Sequence, residues 1–299
     1  MSRIHEAIRR AQNEALSNSI RGSTTPKEIL QDANREIAQL RPILTGVPNE
    51  SQHEQTTLPA FGTQANAFID LRISPGSKLV SILAPHSAAS QQYRRLKARL
   101  RQIKEGRVLK TILVTSAAAL EGKTLTAVNV ALTLAQEIDQ KVLLVDAALD
   151  NPCVDRVLGI SIERGLTDLL NGTLPASEII LSTTISNFYV ALAGHIPENP
   201  RELLNKPSMN HFLTWARERF DWVILDSAPL AQLGDAHPLC SSVDGILLVV
   251  RSHQTPADVL MKNVSMLPAT CVLGSIFNDV HNLKKSEYYY SQSYKLDHN

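Results

Sequence analysis

Three short stretches of the chain end in residue types that handle phosphate and divalent cations. In the first, the apolar run Thr111–Thr115 leads into Ser116-Ala117-Ala118-Ala119-Leu120-Glu121-Gly122-Lys123-Thr124, and a helical pattern follows. Gly-Lys-Thr at a helix start is the closing part of a phosphate-binding loop. Its backbone N–H groups and the helix N-terminus face the anion, the lysine reaches the β- and γ-phosphates, and the threonine hydroxyl reaches Mg²⁺. Ala117 stands where the motif usually opens with glycine, so the signal lies in the placement between strand and helix rather than in the tripeptide alone. The candidates for nucleotide contact are Ala117 to Thr124 and the following Leu125. The second and third stretches, Val142-Leu-Leu-Val-Asp146 and Trp222-Val-Ile-Leu-Asp226, each end an apolar run on a carboxylate. Beside a phosphate loop such a carboxylate orients Mg²⁺, directly or through water. The plainer reading of each is an aspartate that caps the next helix.

The elements that must position these groups follow from periodicity. Short apolar runs at Thr111–Thr115, Val142–Val145, Tyr189–Ala193, Val223–Leu225, Ile246–Val250 and Val272–Phe277 lack polar alternation and are rich in Val, Ile and Leu. Strands buried on both faces have this character. Between the first two, Thr124–Gln136 places Leu125, Val128, Leu132 and Ala135 on one side of a helix. Strand, crossover helix, strand predicts an α/β fold: a doubly wound, mostly parallel sheet with helices on both faces over residues 77–282. Ligands bind such sheets outside the carboxyl ends of the strands, where Lys123, Asp146 and Asp226 fall.

The flanks differ in composition. Residues 1–41 carry helical stripes, Ile4, Ile8, Ala11 and Ala15 and then Leu30, Ala33, Ile37 and Leu40, the second opened by Thr25-Pro26-Lys27-Glu28. Both stripes are narrow and need a surface to bury them, either another protein or the chain's own core. Residues 42–76, rich in Pro, Gly, Thr, Gln and Asn, read as a linker. Residues 283–299 form a polar tail that holds Tyr288, Tyr289, Tyr290 and Tyr294, four of the six tyrosines of the chain.

Bulk properties exclude several classes. With 30 Lys+Arg against 29 Asp+Glu, the 299-residue chain lacks the basic excess of a general nucleic-acid binder. No apolar run approaches the ~20 residues needed to span a bilayer, and no signal-peptide pattern opens the chain. Cys153, Cys240 and Cys271 are odd in number and far apart, and the nine histidines form no zinc-ligand pair. Reduced thiols in a cytoplasmic protein are the expectation.

Taken together, the segments of residues 77–282 resemble the cytosolic domain of the bacterial protein-tyrosine kinases (BY-kinases) of capsule and exopolysaccharide synthesis. The resemblance is carried by the loop up to Gly122-Lys123-Thr124, Val145-Asp146-Ala-Ala-Leu-Asp-Asn-Pro152, Gly165-Leu-Thr-Asp-Leu-Leu170 and Ala193-Gly-His-Ile-Pro-Glu-Asn-Pro-Arg-Glu-Leu-Leu204. It continues through Asp226-Ser-Ala-Pro229, Val243-Asp-Gly-Ile-Leu-Leu-Val-Val250 and Gly274-Ser-Ile-Phe-Asn278. It implies an ATP- and Mg²⁺-dependent tyrosine autokinase. Lys123, Asp146 and Asp226 are then catalytic, Thr124, Asp146 and Asp226 serve the metal, Asn278 sits at adenine, and the four tail tyrosines accept phosphate. It also implies a homo-oligomer, a membrane chain-length-determinant (co-polymerase) protein as activator, and a phosphotyrosine phosphatase. The opening Met1-Ser-Arg-Ile-His-Glu-Ala7 resembles family members without a membrane segment of their own, which implies a cytoplasmic chain recruited peripherally to the inner face of the membrane. Related partition-type positioning ATPases share the fold, but their signature lysine would fall at Ala117, and they have no need of a tyrosine tail.

The chain departs from the family pattern at three places. The second acidic motif, usually Asp-x-Asp-x-Arg, reads Asp146, Ala148 and Asp150 here, and a lost general base costs roughly 10²–10⁴-fold in rate. The loop carries Ala119-Leu120 for the usual Pro-Gly, and leucine tolerates a positive φ poorly. A ring-forming Glu-x-x-Arg-x-x-Arg motif reads Gln91, Arg94 and Lys97, which removes one formal ion pair. A nucleotide-binding regulator that no longer transfers phosphate is therefore the alternative expectation.

Overall fold

A computed structural model of the chain describes residues 67–233, 239–252, 254–265, 267–268 and 270–280. The expected N-terminal helices, most of the linker and all four tail tyrosines lie outside these residues.

Eight strands form one sheet in the order β1-β4-β5-β3-β6-β2-β7-β8. They are β1 (Ala67–Ile69), β2 (Thr111–Ser116), β3 (Val142–Asp146), β4 (Ile180–Thr183), β5 (Phe188–Ala191), β6 (Trp222–Asp226), β7 (Gly245–Arg251) and β8 (Val272–Asn278). Every neighbouring pair is parallel except β4 with β5. The sheet is the expected doubly wound one. Its central strands β2, β3 and β6 are buried at every residue because both faces are covered.

Successive residues of these strands feed opposite faces. Leu113, Leu143, Val223 and Leu225 join Phe212, Leu213 and Leu169 in one apolar cluster. Ile112, Val114, Leu144 and Ile224 join Val128, Leu132, Leu134 and Leu100 in the other. This is the period of two, concealed in the sequence because both faces are apolar.

The helices that cover the sheet are α1 (Val80–Leu83), α2 (Ala88–Gly106), α3 (Lys123–Ala135), α4 (Val154–Leu158), α5 (Leu166–Leu170), α6 (Ala176–Ile179), α7 (Pro200–Asn205), α8 (Pro207–Arg219), α9 (Leu230–Leu233) and α10 (Ala257–Val264). Local chemistry sets their starts. Ser87 caps α2 by accepting the Ser90 N–H at 3.1 Å, and α7 and α8 each open on proline, whose missing N–H costs nothing there. The crossover helix α3 is buried along nearly its whole length beneath β3 and β6, which fixes the direction in which its N-terminus points. Among the described residues no helix is long and apolar enough to cross a membrane.

Two findings differ from the sequence expectations. The end of the expected linker carries β1, which pairs with β4 from Ala67 opposite Leu181 to Ile69 opposite Thr183, and Leu71 and Ile73 pack on the core behind it. Apolar side chains at alternate positions, Ala67, Ile69, Leu71 and Ile73, account for this docking inside an otherwise polar stretch. The strand expected at Tyr189–Ala193 ends at Ala191. The next two carbonyls, of Leu192 and Ala193, instead accept the N–H groups of Leu166 (2.7 Å) and Thr167 (2.9 Å) at the start of α5. That crossing requires Gly165, because a Cβ there would stand 2.3 Å from both the Gly194 nitrogen and the Leu192 oxygen.

Candidate nucleotide-binding site

The loop from β2 to α3 leaves the sheet at its carboxyl end. Gly122 starts α3 with φ 89°, a left-handed conformation that glycine adopts freely, and a Cβ there would lie 2.1 Å from Asn278 Nδ2. Leu120 is also left-handed, with φ 62°, and its side chain is 86% exposed. A left-handed leucine costs about 1–2 kcal/mol, so its surroundings must hold it. Lys123 and Thr124 form the first turn of α3, where N–H groups without intrahelical partners and the helix dipole favour an anion.

Asp146 and Asp226 close β3 and β6 and are register partners on adjacent parallel strands, about 4.8 Å apart as backbones. Both are fully buried. Asp146 is held by three backbone donors: Ala148 N–H to Oδ1 at 3.2 Å, and Cys153 and Val154 N–H to Oδ2 at 3.1 and 3.0 Å. Asp226 is different. Neither of its carboxylate oxygens has a partner in full hydrogen-bond geometry among the described residues. The Thr124 hydroxyl and the Ser227 N–H, the latter bonded to the Val114 carbonyl, stand close enough only to favour its charged form, and its own carbonyl receives the Ala147 N–H at 2.9 Å. The next residue ties the strand end down, since the Ser227 hydroxyl donates to the Val114 carbonyl of β2 at 3.0 Å.

Electrostatics follow from this geometry. Burial pushes the Asp226 carboxyl up to about 7, and the neighbouring Asp146 charge pushes in the same direction; Thr124, Lys123 and the Ser227 backbone oppose the rise. Burial likewise pushes Asp146 up to about 6, against the pull of its three amide donors. Two adjoining buried carboxylates cannot both be charged cheaply without a cation. The orphaned Asp226 carboxylate, its Asp146 neighbour and the Thr124 hydroxyl make a hard oxygen donor set that fits Mg²⁺, which asks for one or two carboxylates beside substrate phosphates.

The structure thus brings Lys123, Thr124, Asp146 and Asp226 together at one end of the sheet, as the sequence led one to expect. It places others behind the loop. Ala117 is buried and its carbonyl accepts the Ala231 N–H at 3.1 Å, while the Ala118 N–H is taken by Glu121 Oε2 at 3.0 Å. Asn278 donates Nδ2 to the Glu121 carbonyl at 2.9 Å, against the back of Gly122. Ala119 and Leu120 are exposed and Leu125 is half-buried on the first turn of α3. Thr255 and Arg251, which sequence reasoning did not single out, contact the loop through Glu121 and the Leu120 carbonyl. They lie 134 and 131 residues from those partners, beyond any local signal. Gln91, Arg94 and Lys97 lie on α2. Arg94 bonds the Pro85 carbonyl at 2.7 Å, and Lys97 pairs with Glu137 at 3.3 Å.

Comparison with known proteins agrees with this layout. The chain matches the AAA domain family over residues 109–290. It is 34% identical over 227 residues to the tyrosine-protein kinase YwqD of Bacillus subtilis, covering 74% of this chain and 95% of YwqD. Against the putative tyrosine-protein kinase CapB of Staphylococcus aureus the identity is 26% over 208 residues, covering 69% and 91%. The solved kinase domain of the Escherichia coli tyrosine kinase ETK superposes with a TM-score of 0.64 at 29% identity, covering 68% of this chain and 80% of that one. With an aligned relative matched over nearly its full length and a shared kinase-domain fold, the chain belongs to the bacterial tyrosine-protein kinase (BY-kinase) family.

Proposed function

We propose that the chain is an ATP-dependent protein-tyrosine autokinase that regulates capsule or exopolysaccharide polymerisation and export. The observation that carries this reading is the pair of buried register partners Asp146 and Asp226, one of them without a well-formed hydrogen bond among the described residues, beside the Lys123-Thr124 turn. Lys123 holds the β- and γ-phosphates, and the α3 N-terminus adds backbone donors to the same anion. Thr124, Asp226 and Asp146 would hold Mg²⁺, which when bound neutralises charge that develops on the transferred phosphoryl group. The amide cradle around Asp146 fixes its carboxylate in one orientation. Tyr288, Tyr289, Tyr290 and Tyr294 are the acceptors, delivered by a neighbouring copy at high effective concentration. The same reading includes Asn278 near adenine, a membrane co-polymerase protein as activator and recruiter at the inner face of the membrane, and a phosphatase that resets the tail.

The test is to incubate the full chain with labelled ATP and Mg²⁺, with and without the neighbouring membrane component. Label on the tail that disappears in Lys123→Met supports the kinase. ATP binding without label in either condition rejects it.

One observation favours a second reading, an ATP-binding regulator with weakened transfer. Ala148 is buried, 2% exposed, with its N–H on the Asp146 carboxylate, so no second carboxylate stands at that motif position, and Asp150 points to solvent. Nucleotide-dependent docking on the membrane partner without phosphotyrosine would support that reading.

A further inference from the structure

We infer that Glu121 and Thr255 form a brace that fixes the phosphate loop in its anion-binding shape, and that both are positioning residues that do not touch the nucleotide. The inference rests on the nucleotide site proposed above and adds how this chain holds it.

Glu121 sits between the exposed Leu120 and the helix start, yet is only 3% exposed. Its side chain turns inward. Oε2 accepts the Ala118 N–H at 3.0 Å, closing a ring across the loop, and Oε1 accepts the Thr255 hydroxyl. That hydroxyl lies 3.3 Å from the Arg251 carbonyl at the end of β7. The backbone of the same segment is gripped from the far side: Asn278 Nδ2 donates to the Glu121 carbonyl at 2.9 Å, and Arg251 reaches the Leu120 carbonyl at 3.5 Å while its guanidinium bonds Asp279 at 2.9 and 3.1 Å.

Two physical arguments make this a brace rather than incidental packing. The loop contains a left-handed leucine and a left-handed glycine within three residues, and it opens on Ala117 where a glycine is usual, so its shape is not one that the local sequence favours. It persists because the ends of β7 and β8 over-determine it. In addition, an acidic side chain inside an anion-binding loop repels phosphate unless its charge is turned away and met by donors. Both carboxylate oxygens of Glu121 are met.

The chemistry separates a brace from a charge. Glutamine in place of Glu121 can keep both contacts, because its oxygen accepts from Ala118 and its amide donates to Thr255, whose hydroxyl then donates only to the Arg251 carbonyl. Alanine keeps neither. The experiment measures Mg·ADP affinity by calorimetry on the full chain, with the thermal midpoint of each variant recorded alongside. We expect Glu121→Ala to bind about tenfold or more weakly and Thr255→Val several-fold more weakly, while Glu121→Gln and Thr255→Ser stay within about threefold of the parent. Equal loss in Glu121→Gln and Glu121→Ala overturns the brace, because the charge itself would then be what matters. Parent-like affinity in both Glu121→Ala and Thr255→Val overturns it as well. If Glu121→Ala does not fold, the Thr255 pair decides: loss with valine and recovery with serine support the brace, and no difference between them refutes it. A parent chain that binds no Mg·ADP refutes the nucleotide site and the brace together, whereas a parent that binds with indifferent variants refutes the brace alone.

Discussion

Asp226 offers the sharpest perturbation, because its carboxylate is buried, adjoins a second carboxylate and lacks a well-formed hydrogen bond among the described residues. Its pKa is raised from 3.8 to about 7. The folded chain therefore keeps a proton that the unfolded chain releases, and this carboxyl's unfavourable ionisation erodes stability as pH rises from about 4 through about 7. At about 1.36 kcal/mol per unit, the full rise corresponds to ~4 kcal/mol at alkaline pH. Asp226→Asn removes the ionisation and leaves an amide whose missing partners cost about 1–3 kcal/mol at every pH. The constant cost cancels in a comparison between two pH values. The variant should gain on the parent by about 2–3 kcal/mol between pH 5 and pH 8 in nucleotide-free, metal-free urea denaturation. Adding Mg·ADP at pH 8 should stabilise the parent more than the variant, which keeps only the metal-independent part of the nucleotide affinity. A difference between the two chains that stays the same from pH 5 to pH 8 would refute the buried, cation-seeking carboxylate.

Gly122→Ala forces a methyl to within 2.1 Å of Asn278 Nδ2 at φ 89°, and should cost about 1–2 kcal/mol in thermal unfolding together with most of the nucleotide affinity. Leu120→Gly relieves the left-handed leucine at the cost of a more flexible unfolded chain, so it should stabilise by up to about 1 kcal/mol, and a destabilised variant would count against strain at φ 62°. Ala148→Asp adds a carboxylate beside Asp146, and on the proposed reading of a chain whose transfer is weakened at this position, tail labelling should rise by roughly 10²-fold. An unchanged rate would mean that another step limits it.

The parts of the fold that the sequence made legible are those whose signal is local. β2, β3, β6 and β7 are continuous apolar runs, β8 is one interrupted by Gly274-Ser275, and the expected bounds of each lie within a residue or so of the observed ones. β1 and β4 were missed for a physical reason. β1 is three residues long in a polar stretch, and β4 is Ile-Leu-Ser-Thr, too short and too mixed for periodicity to register. They are the two outermost strands on one side of the sheet, β1 at the edge and β4 between it and β5, where pairing rather than composition defines the strand. In the candidate site, the grouping of Lys123, Thr124, Asp146 and Asp226 was legible because residues that end strands or start helices in such a sheet gather at its carboxyl edge. The contact of Glu121 with Thr255 was not, because it joins residues 134 apart through side-chain direction alone. Asn278 was singled out by its place in a motif as an adenine contact, whereas its observed bond to the Glu121 carbonyl behind Gly122 comes from packing that no motif encodes.

The most direct test of the whole account is calorimetric titration of the full chain with ATP, with and without Mg²⁺, in the parent and in Asp226→Asn. The parent should show saturable binding that tightens with Mg²⁺, and the variant should lose the Mg²⁺ enhancement. Absence of binding in the folded parent, or an undiminished Mg²⁺ effect in the variant, would contradict the account.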